Sequence, residues 1–170
     1  MSILALSAAM LVVAAKGADD DVKKYPKQLV FDVEYAREMC RAVNKYFAFK
    51  SQYVTEMDMN GDGVVDYLLD TNGFHCSNMQ EALYGSRNGM PLYLYLSTTP
   101  GNWKKKFNAN VFEYRVKPVY GELPYLDVWV RGEAGYQINF LRHQWNGKEL
   151  ELIEQDSVSE VPSQLWKNFD

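Results

Sequence analysis

The sequence predicts an α+β domain built mostly of antiparallel sheet, a meander or small barrel-like assembly. One N-terminal amphipathic helix and a short C-terminal helix complete it. Three observations carry this. From Leu92 onward, apolar and aromatic residues alternate with polar ones in runs about ten to fifteen residues apart, with no helical pattern between them. Between Asp32 and Phe47 the apolar residues instead step by three and four. Asn146-Gly147 separates two alternating runs, a strong short-range hairpin signal.

Taken in order, residues 3–15 form an uncharged apolar run, the length of a signal peptide and too short to span a bilayer. Small residues allow cleavage near 15–18, leaving 19–170 as a single globular domain with no membrane span. Its destination is expected to be the periplasm or the outside of the cell. Asp19–Lys27 is a charged lead-in containing Pro26. Asp32 is placed to cap a helix with Tyr35, Ala36, Met39, Cys40, Val43, Tyr46 and Phe47 on its buried face. Glu34, Arg37, Glu38, Arg41 and Lys45 would face water.

Short β-branched or aromatic runs at 51–55 and 64–69 read as two strands. Residues 78–91 form a loop whose Tyr84-Gly85-Ser86-Arg87-Asn88-Gly89 stretch bends at both glycines. Further strands are expected at 92–96, 111–116, 125–131, 136–145 and 149–153. Leu165, Trp166 and Phe169 would pack a closing helix over 162–169.

Cys40 lies within the helical stripe and so points inward, where Cys76 at the end of a strand could meet it. An exported domain would pair the two; in a reducing compartment they would be free buried thiols. Closing a loop of that size is worth roughly 3.5–4 kcal/mol in the chain-entropy account.

The nine residues Asp58-Met59-Asn60-Gly61-Asp62-Gly63-Val64-Val65-Asp66 place side-chain oxygens at the first, third, fifth and ninth positions and Gly63 at the sixth. That is the front of a calcium loop, because a hard cation takes many oxygen ligands and relieves the repulsion between carboxylates. The twelfth position, where a bidentate Glu closes an EF-hand, is Leu69, and both flanks read as strands. Strand-loop-strand with D-x-N-G-D-G-x-x-D resembles the calcium loops of FG-GAP and VCBS-type repeats and of many small exported bacterial proteins. The resemblance implies Asp58, Asn60, Asp62 and Asp66 as side-chain ligands and the Val64 carbonyl as a further one. Asp70, two residues past Leu68 on the same strand face, is a candidate for the missing ligand. Calcium held this way has an affinity nearer ~10⁻⁴–10⁻³ M than that of a sensor. The alternative is an Asn/Asp/Gly hairpin turn that needs no ion.

A net charge of −4 and a pI near 5.2 argue against binding a nucleic-acid backbone and favour a basic partner. An aromatic share of 14%, with twelve tyrosines, suits sheets and contact surfaces. No phosphate-binding loop, dinucleotide fingerprint, hydrolase elbow or zinc motif is present. His75 and His143 stand apart, and Asp127 and Glu133 flank Trp129 as a conceivable glycosidase pair. Trp103-Lys104-Lys105-Lys106-Phe107 reads as lysines guarding a strand edge.

These features point to an exported, non-enzymatic protein-binding module with a structural calcium loop. One version is an envelope inhibitor or immunity-type protein that blocks a basic cell-wall-degrading enzyme, with Ser86, Arg87 and Asn88 in the contact loop. The alternatives are a periplasmic hydrolase or glycan-processing enzyme using Ser86, His143 or the Asp127/Glu133 pair, and an envelope protein that calcium merely stabilises.

Overall fold

Tyr93 and Tyr95 turn one way from their strand while Leu92, Leu94 and Leu96 turn the other, and both sides are buried. A strand covered on both faces must lie between two layers. In the computed structural model, which describes residues 22–43, 46–77, 88–132 and 137–158, that layering organises the chain. The export signal expected at 3–15 and the closing helix expected at 162–169 lie outside the described residues.

The chain runs through α1 (Lys27–Ala42), β1 (Phe47–Phe49), β2 (Val54–Met57), β3 (Asp66–Asp70), β4 (Phe74–Cys76), β5 (Met90–Thr99) and β6 (Asn102–Val111). It continues with β7 (Glu113–Lys117), β8 (Tyr125–Arg131), β9 (Ile138–Trp145) and β10 (Leu150–Val158). Every strand pair is antiparallel. The middle layer is the sheet β2-β3-β5-β6. One face carries α1 and the β1-β4 pair, through Tyr25, Leu29, Val33, Ala36, Phe49, Leu69, Phe74 and Tyr95. The other packs on the sheet β10-β9-β8-β7, through Leu68, Leu92, Leu94, Leu96, Leu126 and Val128. The expected α+β class with mostly antiparallel sheet is what the structure shows. The barrel-like variant is not: the described strands divide into three sheets and do not close.

Turn chemistry sets the hairpins. The β9-β10 hairpin turns through Asn146-Gly147, where Gly147 has φ 94° and the Asn146 side chain accepts the amides of Lys148 and Glu149. Pro100-Gly101, with Gly101 at φ 80°, turns β5 into β6. Gly89 enters β5 at φ 83°, and a Cβ there would lie 2.3 Å from the Val111 carbonyl oxygen.

A bulge in β6 decides what that strand presents. Leu94 pairs with Phe107 but Tyr95 pairs with Lys105, so Lys106 is the extra residue. Phe107, Ala109 and Val111 thereby face the second sheet, while Trp103 packs under α1 and Lys105 reaches Asp32 of that helix.

The helix corrects the sequence reading. It begins at Lys27 behind Pro26, whose carbonyl accepts the Val30 amide. Asp32 is therefore inside the second turn rather than at the cap. The buried stripe is Leu29, Val33, Ala36 and Cys40. Tyr35, Met39, Val43 and Tyr46, expected inside, are exposed, and only Ala36 and Cys40 of the expected helix stripe are fully covered. Both stripes step by three and four, but only the first brings Cys40 to Cys76. The two form a disulfide with Cα atoms 5.8 Å apart, fastening α1 to β4.

Two outcomes follow from the packing. Replacing both Cys40 and Cys76 by Ser lowers the unfolding free energy by roughly 3 kcal/mol in urea titration. Gly89→Ala costs about 2 kcal/mol or more by the same measurement, because the position combines a left-handed backbone with a carbonyl in the way of the methyl.

Candidate functional site

β2 and β3 are joined by residues 58–65, with Met57 opposite Asp66 in the ladder. The tight course of this loop follows from Gly61 and Gly63, both at φ 76°. Its carboxylates serve the backbone. Asp58 accepts the amides of Gly61 at 2.6 Å and Gly63 at 2.9 Å, one on each oxygen. Asn60 accepts the Asp62 amide at 3.0 Å, and Asp62 accepts the Val64 amide at 2.8 Å. This is a run of Asx turns, in which short polar side chains replace the missing ladder bonds.

Asp66 stands at the root of the loop and is fully buried. One of its oxygens accepts the Met59 amide at 2.8 Å and the other the Ser97 amide at 2.6 Å. Burial pushes the Asp66 carboxyl up. The two amides oppose this, and the neighbouring Asp62 and Asp58 charges add to the rise. Asp62 moves the other way, held below the usual carboxylate range by the Ser97 hydroxyl and then by the Val64 amide.

Ser97, on β5, is the hub that the motif does not reveal. Its hydroxyl donates to Asp62 in a short hydrogen bond, its amide to Asp66, and its carbonyl accepts from Asn60 Nδ2 at 3.0 Å. The loop is thus fastened to the middle sheet rather than to its own hairpin alone. Trp103 adds a second tie, its indole N–H donating to the Val65 carbonyl at 2.7 Å. Ser97 lies next to a register shift in the β5-β6 pair, a contact set by tertiary pairing and invisible to a local spacing rule.

Of the sequence-selected ligands, Asp58, Asn60, Asp62, Val64 and Asp66 share this loop. Asp70 does not join them. It lies four residues further along β3, roughly 13 Å at strand spacing, and accepts the Asn72 amide at the start of the short 3₁₀ turn 71–73. The donors that do gather are hard oxygens, the ligand chemistry of calcium. Apart from Asp62 Oδ2, which accepts both Asn60 Nδ2 and the Ser97 hydroxyl, each carboxylate oxygen of the loop has a second lone-pair direction beyond the amide it accepts. Among the described residues, no three His, Cys, Asp or Glu side chains are arranged as a metal shell.

The other candidates separate. Ser86, Arg87 and Glu133 lie outside the described residues, and Asn88 is exposed just ahead of β5. His143 is half-buried against the Phe107 ring at 5.3 Å, and burial pushes its pKa down. Asp127 is fully buried and doubly neutralised. Arg142 grips both oxygens at 2.7 and 3.0 Å, and Lys117 lies at 3.1 Å. Burial pushes its carboxyl up, but the bonds and charges of Arg142 and Lys117 outweigh that and hold it below the usual range. A carboxylate so committed braces the strands β7, β8 and β9 and is not placed to donate a proton.

Because its folded pKa is depressed, the stability that Asp127 contributes is present above its unfolded pKa of about 3.9 and is lost as pH falls through the folded value. Asp127→Asn lowers stability by about 2–3 kcal/mol at neutral pH. It also flattens the fall in stability below about pH 4. Urea titrations at several pH values check both.

The chain matches no protein-family model, no curated protein and no solved structure.

Proposed function

We propose that this chain is an exported, non-enzymatic module that binds a basic protein, with calcium in the 58–66 loop as a structural brace. One observation carries the reading. β10 is a nine-residue strand at the end of its sheet, with all but its first and last residues exposed. Along it Glu151 and Asp156, with Glu154 between them held by Arg142 at 2.6 Å, alternate with uncharged residues, and Leu152 and Ile153 are 44% and 47% exposed. An edge strand offers backbone donors and acceptors, two apolar side chains offer contact area, and the acids favour a cationic partner.

A basic cell-wall-degrading enzyme has the matching charge. The disulfide suits an oxidising compartment, where such an enzyme acts. Calcium is supported by the oxygen donors at 58, 60, 62 and 66; the Asp66 carboxyl is raised first by burial and then by the Asp62 and Asp58 charges, a repulsion that a cation would offset. Its binding would draw the Asp62 carboxylate away from the Ser97 hydroxyl.

The partner is tested by titrating the purified protein into a basic lysozyme-type muramidase and following clearance of cell-wall suspension. Stoichiometric inhibition is expected, weakened about 10-fold or more by Glu151→Lys with Asp156→Lys. Lack of inhibition across several basic wall-degrading enzymes, or inhibition indifferent to those changes, overturns it.

The calcium loop is tested by a melt in about tenfold excess over the expected Kd and again in EDTA. The midpoint should rise by about 3–5 °C. Trp103 fluorescence should change with it, and Asp62→Ala should abolish both. An unmoved midpoint removes calcium from the proposal.

A further inference from the structure

The outer face of α1 is an apolar stripe that no described residue covers. Phe31 and Tyr35 are 68% and 60% exposed, and Met39 and Val43 continue the line at steps of four. An exposed row of this kind is uncommon on a lone domain. Along one flank run Lys27, Glu34 and Arg41, one every seven residues, so that their charges alternate along the helix. The opposite flank is occupied, since Asp32 is bound to Lys105 at 2.8 Å and accepts the Tyr95 hydroxyl at 2.6 Å.

We infer that α1 pairs with α1 of a second copy of this chain, antiparallel about a two-fold axis near the middle of the helix. The register follows from the residues. Setting Tyr35 against Met39 of the other copy also sets Phe31 against Val43. The same arrangement brings Glu34 of each copy level with Arg41 of the other, to within about one residue rise. Because the interface is self-complementary, the Glu34-Arg41 pair forms twice. In the single chain Arg41 holds Glu38 at 2.7 Å, an exposed pair that costs little to exchange, and Glu34 lies 3.5 Å from Arg37, a longer contact that it would also give up. A parallel arrangement would put the two copies of this flank on opposite sides of the interface, where Glu34 and Arg41 cannot meet. The charge pattern therefore selects direction as well as partner.

One helix pair is smaller than a standard interface, so a dissociation constant on the order of tens of micromolar is expected. The pairing is independent of the acidic β10 edge and stands or falls separately from it.

Sedimentation of the purified protein from about 1 to 500 µM, bracketing that value, reads the equilibrium. A concentration-dependent dimer is expected. Tyr35→Glu or Met39→Lys should weaken it at least about 100-fold. Both side chains are exposed, so thermal melts should be nearly unchanged. Glu34→Arg alone and Arg41→Glu alone should each weaken association about 10-fold, and the two together should restore it to within a few-fold. A monomer at every concentration overturns the inference. So does a dimer insensitive to both apolar-face substitutions, or a double charge reversal that fails to restore what the single ones lose.

Discussion

Burial of the middle sheet on both faces is the constraint from which the rest of this molecule follows. β5 has no solvent side along most of its length, so its leucines and tyrosines are divided between two cores. The leucine side needs a second sheet over it, and β7 to β10 supply one. The tyrosine side needs a smaller cover, and a single helix with a two-stranded flap is enough. Tyr95 shows how far this goes. Its ring is fully buried, but its hydroxyl finds the Asp32 carboxylate, and together burial and that acid push its ionisation far above the ordinary tyrosine range. A tyrosine in a core needs such a partner for its one polar atom. Asp32 supplies it because α1 is capped at Pro26, six residues ahead of the cap expected at Asp32.

Local signals made much of the fold legible. The Leu92–Leu96 alternation, the Asn146-Gly147 turn and the paired cysteines each specify their structure within a few residues, and each is where the sequence places it. The helix face was the exception. Two stripes with helical spacing run along α1, and the outer one, with Phe31, Tyr35 and Met39, is the more aromatic. Hydrophobicity alone favours that one, yet Leu29, Val33 and Ala36 fit the shallow space over Tyr95 and Phe74. Cys40 belongs to the inner stripe, and its bond to Cys76 breaks the tie.

The 58–66 loop divides along the same line between local and long-range. Its turn-forming half, Asp58 to Val64, is written in adjacent residues, because an Asx turn needs only a short oxygen-bearing side chain two to five residues before an amide. Its anchoring half is not. Ser97 is 31 residues from Asp66 and 35 from Asp62, and no spacing rule links them. Asp70 illustrates the converse. Shared strand parity with Asp66 suggests a shared site, but parity fixes only the face, and four residues of strand keep the two carboxylates apart. The pairing of Asp127 with Arg142 and Lys117 likewise comes from register across three strands, and it turns a conceivable catalytic acid into a brace.

The bulge at Lys106 also bears on how this chain can vary. A bulge is a count of residues as well as a shape, because the strand has one more residue there than its partner. Deleting Lys106 would remove that extra residue and leave Lys105 opposite Tyr95 and Phe107 opposite Leu94, now adjacent in a regular ladder. A regular ladder at the present length would instead put Trp103, Lys105 and Phe107 on one face, so that either Trp103 and Lys105 lose the Val65 carbonyl and Asp32 or Phe107 leaves the second core. The bulge is what lets one strand of this length serve two cores from alternate residues of its own sequence.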